Sequence, residues 1–425
     1  MKPATEDDSD VLEDGNFHYS QMGLEFDGRV RDDFLGTSVL ISSNGLRVAV
    51  ASPGNSLGYV GVYDWIEEAW QEIGGIILGH EGAAHLGYAM AMNSDGSRII
   101  FGSPEVRNDD GSVHVYEFDA DTNEWMVLGD VIRPVRNTKG HAGGSVAISG
   151  DGNRIAYGSP RANWYRGGVT VLEFDIDTKQ WIQMGEHLGT DHNYYASTGG
   201  SIAMSADGNK LVVGSSYGGW FLGNVEIFEC DTTSNQWSLS GSIDGSGYYD
   251  RFGGDVDISD DGNTIVVGGA GVDNTEGGTY SKNVGEFKVF THDGLSWNQL
   301  GHEVIGEEKY DKMGESVAIS GDGKRVAVSS PKSDNDGRNN NGKAQLFSYD
   351  DDSDTWISTI EIRGDCNNDR LGESSGAIAM DYHGHHIIVG AQRGHYYEGK
   401  ARVYEAVQGQ TEETVNLESN PMCTR

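Results

Sequence analysis

The sequence predicts an all-β fold, a seven-bladed β-propeller built from four-stranded antiparallel blades. Three observations lead to this prediction: a segment repeated seven times, four strand patterns in each repeat, and a last repeat that is divided between the chain ends. The repeated segment reads Gly-x-Ser-Val-x-Ile-Ser-x-Asp-Gly-x-Arg-Val-x-Val-Gly-Ser-Pro, with local variation. Its turn glycines are Gly45, Gly96, Gly152, Gly208, Gly262, Gly323 and Gly384. A period of 51 to 61 residues indicates a propeller or a solenoid.

Four strand patterns occur in the repeat that spans residues 143–188. Residues 143–149 and 154–160 are two short apolar runs joined by a turn, GDGN, in which Asp-Gly supplies the positive φ of a hairpin. Residues 168–174 and 181–188 follow the same pattern on either side of the turn DIDTK. Four antiparallel strands are the unit of a propeller blade. The 62 glycines of the chain suit many tight turns and disfavour long helices.

The last repeat lacks the tryptophan that begins the fourth strand of the others. These tryptophans are Trp70, Trp125, Trp181, Trp237, Trp297 and Trp356, and we interpret them as packing residues. At the other end of the chain, residues 19–28 follow the W-x-x-Met-Gly pattern with Tyr19 in the tryptophan position. We therefore predict that this N-terminal strand completes the last blade and closes the ring, which removes two open sheet edges.

The predicted organisation is one propeller, residues 18–407, between an acidic tail, residues 1–17, and a polar tail, residues 408–425. A formal net charge of −36 makes nucleic acid and anionic membranes poor partners. No signal peptide, membrane span or N-glycosylation sequon is visible, and three cysteines do not make a disulfide framework. These features leave the compartment and the oligomeric state open.

An apolar residue followed by glycine precedes the first strand of several repeats. These pairs are Leu35-Gly36, Phe252-Gly253, Met313-Gly314 and Leu371-Gly372. Together with second strands that end in Ala-Ser-Pro, Gly-Ser-Pro or Ser-Ser-Pro, they make residues 18–407 resemble the FG-GAP repeat of integrin α-subunit propellers. The resemblance implies a seven-bladed propeller that serves adhesion or molecular recognition.

The calcium loop of that family does not carry over. FG-GAP blades often hold calcium in an Asp-x-Asp-x-Asp-Gly loop, whereas the corresponding turns here are shortened to Ser-x-Asp-Gly or a close variant. Calcium requires six to eight oxygen ligands, so we interpret the remaining aspartates as turn formers. Asp334, Asp336 and Asn340, in a different loop, could hold a cation such as Ca²⁺ weakly, although a solvated loop explains them as well. We expect no other cofactor.

The antiparallel geometry predicts that the short, uniform turns lie on one face and the variable loops on the other. Function concentrates on variable loops over a rigid scaffold. The predicted ligand-binding residues on these loops are Trp164, Tyr165, Tyr194, Tyr195, Trp220, Phe221, Tyr248, Tyr396, Tyr397, Arg161, Arg166 and Arg393. Rigid aromatic rings with polar edges suit sugar rings or peptide side chains. The expected ligand is therefore a protein or a glycan, although many of these rings could instead cover the blade ends.

No nucleophile elbow, Walker loop or paired Cys-x-x-Cys motif occurs in the chain. We therefore favour a non-catalytic recognition or scaffold protein and assign no catalytic residues. The alternative is a carbohydrate-active enzyme, a glycosidase or lyase, with carboxylates in the central channel. A convergent carboxylate pair with shifted pKa values in a deep pocket would favour the enzyme, and a broad aromatic surface without such a pair would favour the binding protein.

Overall fold

In a computed structural model, thirty-one strands and four one-turn helical segments account for the regular structure of the described part of the chain. The structure describes residues 17–54, 57–79, 85–134, 139–189, 194–273 and 282–408. None of the helices in this part of the chain is long and apolar enough to cross a membrane. The strands form seven antiparallel sheets, so the molecule is a seven-bladed β-propeller, as predicted.

The first three blades follow one another along the chain. Blade 1 consists of β3 (Val39–Ile41), β4 (Arg47–Ser52), β5 (Tyr59–Ile66), β6 (Ala69–Glu72) and the short β7 (Ile77–Leu78). Blade 2 consists of β8 (Ala89–Met92), β9 (Arg98–Ser103), β10 (Ser112–Asp119) and β11 (Glu124–Val127). Blade 3 consists of β12 (Ser145–Ile148), β13 (Arg154–Gly158), β14 (Val169–Asp175) and β15 (Gln180–Gln183). Each innermost strand is the first of its blade in sequence.

The other four blades repeat this order. Blade 4 consists of β16 (Ser201–Met204), β17 (Lys210–Ser215), β18 (Asn224–Asp231) and β19 (Gln236–Asp244). Blade 5 consists of β20 (Val256–Ile258), β21 (Thr264–Gly269), β22 (Glu286–His292), β23 (Trp297–Gln299) and β24 (Val304–Ile305). Blade 6 consists of β25 (Val317–Ile319), β26 (Arg325–Ser330), β27 (Lys343–Asp350) and β28 (Thr355–Arg363). Blade 7 consists of β29 (Ile378–Met380), β30 (His386–Ala391), β31 (Lys400–Gln408) and two N-terminal strands, β1 (Phe17–Gln21) and β2 (Phe26–Asp27).

The two ends of the chain meet in blade 7, which confirms the predicted closure. β1 pairs antiparallel with β31 over five residue pairs, from Phe17↔Gln408 to Gln21↔Tyr404. Tyr19 is buried, and its hydroxyl donates a hydrogen bond to the carbonyl of Gly384. The predicted tails lie outside the described residues apart from Phe17 and Gln408, which belong to these paired strands.

The hydrophobic core lies between the blades rather than at the centre of the ring. Seven clusters of buried residues occur in the described part of the chain, one at each interface between neighbouring sheets. Between blades 1 and 2, for example, Ala49 and Ala51 on one sheet face Ile99 and Phe101 on the next. Small side chains on one face thus receive large ones from the other.

Two glycine positions of the repeat, one before the third strand and one before the first strand of the next blade, lie where the backbones of neighbouring blades meet. In five blades, the glycine before the third strand forms a parallel bridge to the residue that precedes the repeat glycine of the next blade, as in Gly111↔Ala142 and Gly223↔Phe252. A Cβ atom on Gly111 would lie 2.2 Å from the carbonyl oxygen of Ala142. Because a side chain has no room there, the repeat retains glycine at this position.

The repeated tryptophans join each blade to the one before it. The indole nitrogens of Trp70, Trp181 and Trp356 donate to main-chain carbonyls of the preceding blade at 2.9 to 3.0 Å. The glycine that ends the W-x-x-Φ-G pattern, where Φ is apolar, supports the next indole: the Cβ of an alanine at position 74 would lie 2.4 Å from Trp125 Cδ1. These contacts confirm the packing role of the tryptophans.

One strand end differs from the prediction, and two further local features lie outside the predictions. The fourth strand of blade 3 ends at Gln183 instead of Leu188, which returns only as an isolated bridge to Val169. The variable loops of blades 2, 3, 4 and 7 contain the one-turn segments α1 (Val106–Asp109), α2 (Ala162–Tyr165), α3 (Gly218–Phe221) and α4 (Gly394–Tyr397). In α1 and α2 the central residues have left-handed backbone angles, so these two turns are not regular α-helix. Cys230 is free, and Cys366 takes part in a disulfide bond.

Candidate binding face and central channel

Two faces of the ring differ in the loops that they carry. The turns between first and second strands and those between third and fourth strands form one face, which we call the turn face. The loops between second and third strands and the connections between blades form the other, which we call the variable face. On the variable face, the loops within blades and the connections between blades are joined by main-chain hydrogen bonds. For example, Tyr249 N donates to Phe221 O at 2.7 Å. This separation is the one predicted from the antiparallel order of the strands.

On the turn face, the aspartates of the Ser-x-Asp-Gly turns accept hydrogen bonds from their own turns. Asp151 accepts from Ser149 Oγ at 2.6 Å and from Asn153 N at 2.9 Å. Burial alone would raise the pKa of Asp151, but these hydrogen bonds outweigh it and lower the pKa. Asp207, Asp261 and Asp322 repeat the geometry. These residues are turn formers, as the sequence predicts.

Aromatic side chains from three consecutive blades form two packed pairs and several further exposed rings on the variable face. Tyr165 stacks with Tyr195, the ring centroids lying 5.9 Å apart, and Phe221 packs against Tyr249 at 5.4 Å. The guanidinium of Arg166 lies 4.4 Å from the centroid of the Tyr194 ring. We call this surface the aromatic arc and define it as Trp164, Tyr165, Tyr194, Tyr195, Phe221, Tyr248 and Tyr249.

Main-chain hydrogen bonds hold the loops of the arc together, and its rings are open to solvent. Ser197 N donates to Tyr165 O at 2.8 Å, and Tyr217 N donates to Ala196 O at 3.3 Å. Trp164 is 79% exposed and Tyr248 is 72% exposed. The arc therefore combines a backbone fixed by neighbouring blades with aromatic surface that no described residue covers.

Several residues of the arc have left-handed backbone conformations. Tyr165 and Phe221 have φ values of 62° and 72°, and Tyr195 and Tyr249 have values of 68° and 67°. A large aromatic residue rarely adopts this conformation. Asp109 and Asn368 occupy equivalent left-handed positions in the loops of blade 2 and of the connection into blade 7, so the fold does not require an aromatic residue there.

The other predicted binding residues lie outside the arc. Arg161 Nη1 lies 2.6 Å from His141 Nε2. In blade 7, Tyr397 packs edge-on against Phe34, and Arg393 forms an ion pair of 2.5 Å with Glu373. The side chains of Trp220 and Tyr396 are not among those that the structure describes. Arg161 belongs to the loop of blade 3, whereas Arg393 and Tyr397 form a second group in blade 7, which blade 6 separates from the arc.

The candidate cation ligands have other partners. Asp336 Oδ1 forms an ion pair of 2.7 Å with Arg363 Nη1, and Asp334 Oδ1 accepts a hydrogen bond from Asn340 N at 2.6 Å. Over the described ranges, no group of three or more His, Cys, Asp and Glu side chains is placed to hold a metal ion. A weak cation site in this loop stays a prediction, which these contacts do not favour.

A channel runs through the centre of the ring between the two faces. Its cavity has a volume of about 490 Å³ and is lined by the first strands of all seven blades. At most of these strand positions the side chains are small or apolar, such as Ala91, Ala147 and Ala203. Blade 5 differs because it brings Asp255, Asp257 and Asp260 to the wall.

Two of the three aspartates of blade 5 connect it to neighbouring blades. Asp255 accepts hydrogen bonds from Ser201 Oγ at 2.9 Å, from Val317 N at 2.9 Å and from Ser375 Oγ at 2.6 Å. Asp257 accepts from Ile319 N and from its neighbour Ile258 N, both at 2.9 Å. These carboxylates therefore satisfy main-chain donors on the first strand of blade 6.

Burial dominates the ionisation of these aspartates. It raises the pKa of Asp255, and it raises the pKa of Asp257 to about 7 although two main-chain N–H groups act in the opposite direction. Burial and the neighbouring Asp261 and Asp322 carboxylates raise the pKa of Asp260. Sequence reasoning missed this group, although the signal is visible: the segment 252–262, FGGDVDISDDG, has aspartate where the other repeats have mainly Ser, Ala or Gly.

Comparison with known proteins adds no family to these observations, since no family model and no curated protein matches the chain. The seven-bladed fold implied by the FG-GAP resemblance is present, while no feature of the structure is specific to that family. The resemblance therefore stays a prediction.

Proposed function

We propose that the protein is a non-catalytic recognition propeller that binds a protein or a glycan through the aromatic arc. One observation carries the proposal: exposed aromatic residues occupy left-handed backbone positions in consecutive blades, at Tyr165, Tyr195, Phe221 and Tyr249. A left-handed conformation costs a residue with a side chain about 1–2 kcal/mol. Stacking between the exposed rings offsets only part of that conformational cost. Contacts with a bound ligand would offset the rest.

The geometry of the arc suits recognition of a ligand without chemical conversion. Tyrosine and tryptophan offer large contact areas with few rotatable bonds, so little side-chain entropy is lost on binding. The main-chain hydrogen bonds between loops hold the rings before a ligand arrives, which further reduces the cost of binding. The resemblance to FG-GAP propellers is consistent with adhesion or recognition.

The test removes rings while keeping the backbone conformation. Asparagine tolerates the left-handed region better than other non-glycine residues, so Tyr195→Asn with Tyr249→Asn should leave the fold intact. We expect wild-type protein to bind a subset of a glycan array or of a displayed peptide library, and the double variant to lose that binding at least tenfold. The matched control is Leu295→Asn, which changes an exposed apolar residue in a turn of blade 5 on the turn face.

The two libraries separate the two ligand classes. Hits confined to glycans would identify a lectin-like protein, and hits confined to peptides would identify a protein-binding propeller. Undiminished binding by the double variant, or no binding of either library by the wild type, would contradict the role of the arc.

The raised pKa values of Asp255 and Asp257 favour the second candidate function, a carbohydrate-active enzyme. They satisfy one condition for such an enzyme, a carboxylate pair with raised pKa values inside a deep channel. Against it, both carboxylates already accept hydrogen bonds from the first strand of blade 6. Hydrolysis or elimination of any arrayed glycan by wild-type protein, abolished in Asp257→Asn, would establish the enzyme and overturn the non-catalytic proposal.

A further inference from the structure

Cationic side chains are concentrated on the variable face of blades 6 and 7, next to the channel mouth. Lys312 and Arg370 lie in the connections that lead into these blades, and Lys332 and Arg393 lie in the loops after their second strands. We call these four residues the cation cluster. Two carboxylates accompany them, Glu315 and Glu373. A local excess of cations is unexpected in a chain with a net charge of −36.

The carboxylates do not neutralise the cluster. Glu373 forms ion pairs with both Arg370 and Arg393, the latter at 2.5 Å, and it also accepts a hydrogen bond from Gln392 Nε2 at 3.3 Å. Glu315 pairs with Lys312 at 3.3 Å. Lys332 forms no ion pair with any described residue, and the buried Nε of Arg370 has no hydrogen-bond acceptor there.

The cationic side chains are partly buried rather than fully exposed to solvent. The side chains of Lys312 and Arg370 are 22% and 23% exposed, and Lys332 is half-buried. Burial lowers the pKa of Lys332, and the nearby charges of Lys312 and Arg370 lower it further, in opposition to Glu315 and Glu373. Like charges held together in partly buried positions are costly, and a bound anion would relieve that cost.

We propose that the cation cluster binds an oxyanion, a sulfate, phosphate or carboxylate group, at the channel mouth of blades 6 and 7. Lys332 supplies an ammonium that pairs with no described carboxylate, and Arg370, whose charge acts on it, supplies guanidinium N–H donors. Guanidinium and ammonium donors on several sides match the oxygens of such an anion. Gln392, which contacts Glu373 and accepts a hydrogen bond from Thr37 Oγ1 at 3.1 Å, connects the site to the channel wall.

This site is independent of the aromatic arc and is tested with inorganic ions alone. In equilibrium dialysis with radiolabelled sulfate at constant ionic strength, we expect the wild-type protein to bind one sulfate per chain. Lys332→Met breaks no ion pair of the described residues, and it should weaken sulfate binding at least tenfold. The matched control is Lys324→Met, an exposed lysine of the same blade on the turn face.

Further measurements make the result decisive. Arg370→Lys keeps the charge but removes the guanidinium donors, so it should weaken binding severalfold. Competition by phosphate and by acetate distinguishes a tetrahedral group from a carboxylate as the preferred ligand. Absence of saturable sulfate binding in the wild type, or equal loss in Lys332→Met and Lys324→Met, would overturn the proposal, and neither result would bear on the aromatic arc.

Discussion

At the scale of single residues, the clearest departure from the repeat is the group of aspartates in blade 5. Asp257 stands where five other blades have alanine that faces the channel, at Ala91, Ala147, Ala203, Ala318 and Ala379. Its carboxylate satisfies main-chain donors, but burial raises its pKa to about 7. The folded protein therefore keeps a proton on Asp257 at pH values where the unfolded chain has lost it.

This shift has a definite sign for stability. Because the folded state binds the extra proton between about pH 4 and pH 7, the contribution of Asp257 to the free energy of unfolding falls as the pH rises through that range. Asp257→Ala removes the effect and restores the residue of the other blades. Relative to wild type, the variant should gain up to about 4 kcal/mol between pH 4 and pH 8.

Urea unfolding of both proteins at the two pH values measures this difference. Asp352→Ala, which removes an exposed carboxylate from a turn of blade 6, should leave the pH dependence of unfolding as in the wild type. A difference between Asp257→Ala and wild type that is the same at pH 4 and pH 8 would show that Asp257 is ionised normally.

At the scale of elements, the fourth strands are joined by pairs of tryptophan and glycine. The glycine of each W-x-x-Φ-G strand supports the indole of the following blade, as Gly301 supports Trp356. The blade 6 strand has Ile360 in place of this glycine, and the next blade has Tyr19 in place of tryptophan. Ile360 packs against the cluster that contains Tyr19, so the two exceptions in the repeat compensate for each other.

Two adjacent glycines of blade 1 allow the effect of the glycine–indole contact on stability to be separated from the effect of backbone strain. Gly74 and Gly75 have φ values of 67° and 70°, but only a Cβ at position 74 would meet an atom, Trp125 Cδ1 at 2.4 Å. Both Gly74→Ala and Gly75→Ala should lose about 1 kcal/mol through positive φ. Gly74→Ala should lose about 1–3 kcal/mol more because it displaces the indole. Denaturant unfolding of the two variants gives the difference, and equal losses would contradict the role of the contact.

At the scale of the whole molecule, the ring is held closed by paired strands and by a buried group of charges. Lys400 and Arg402, on β31, are both buried. Lys400 Nζ lies 2.7 Å from Asp365 and 3.0 Å from Asp369, and Arg402 contacts Asp365 and, at 2.6 Å, Glu25. The group thus joins the connection between blades 6 and 7 to the N-terminal segment that completes the ring.

Asp365 makes this closure sensitive to acid. Burial alone would raise its pKa, but Arg402 and Lys400 outweigh it and lower the pKa to about 2. Its contribution to stability, about 2 kcal/mol, is therefore complete above about pH 4 and is lost as the pH falls towards 2. Asp365→Asn should cost about 3–5 kcal/mol at pH 7 because it removes the carboxylate that the buried Lys400 and Arg402 share and leaves them only Asp369 and Glu25.

Denaturant unfolding at pH 7 and hydrogen exchange of β1 and β31 report on this closure. In Asp365→Asn, we expect exchange in these strands to accelerate more than in the other blades. The control, Asp64→Asn, breaks a more exposed ion pair with Arg47 on the turn face and should cost at most about 1 kcal/mol. If the free energy of unfolding of Asp365→Asn equals that of Asp64→Asn, the buried group of charges has no role in closing the ring.

The sequence by itself determined the number of blades, the order of strands, the divided last blade and the assignment of loops to two faces. It could do so because these properties depend on local patterns: alternating side chains, Asp-Gly turns and a tryptophan in each outer strand. The paired exceptions Tyr19 and Ile360 were also visible in the sequence, although only the packing of both into one cluster explains them. Strand ends were less certain, as at Gln183, because they depend on pairing with neighbours.

Only the tertiary structure decided which loop residues meet. The predicted aromatic residues separate into the arc of blades 3, 4 and 5 and a second group in blade 7. The spacing of these residues along the chain does not show how far apart they lie in the folded protein. The channel aspartates and the cation cluster were missed for the same reason. Their properties arise when residues far apart in sequence, such as Asp255 and Ser375 or Lys332 and Arg370, are brought together in a partly desolvated space where charges interact strongly.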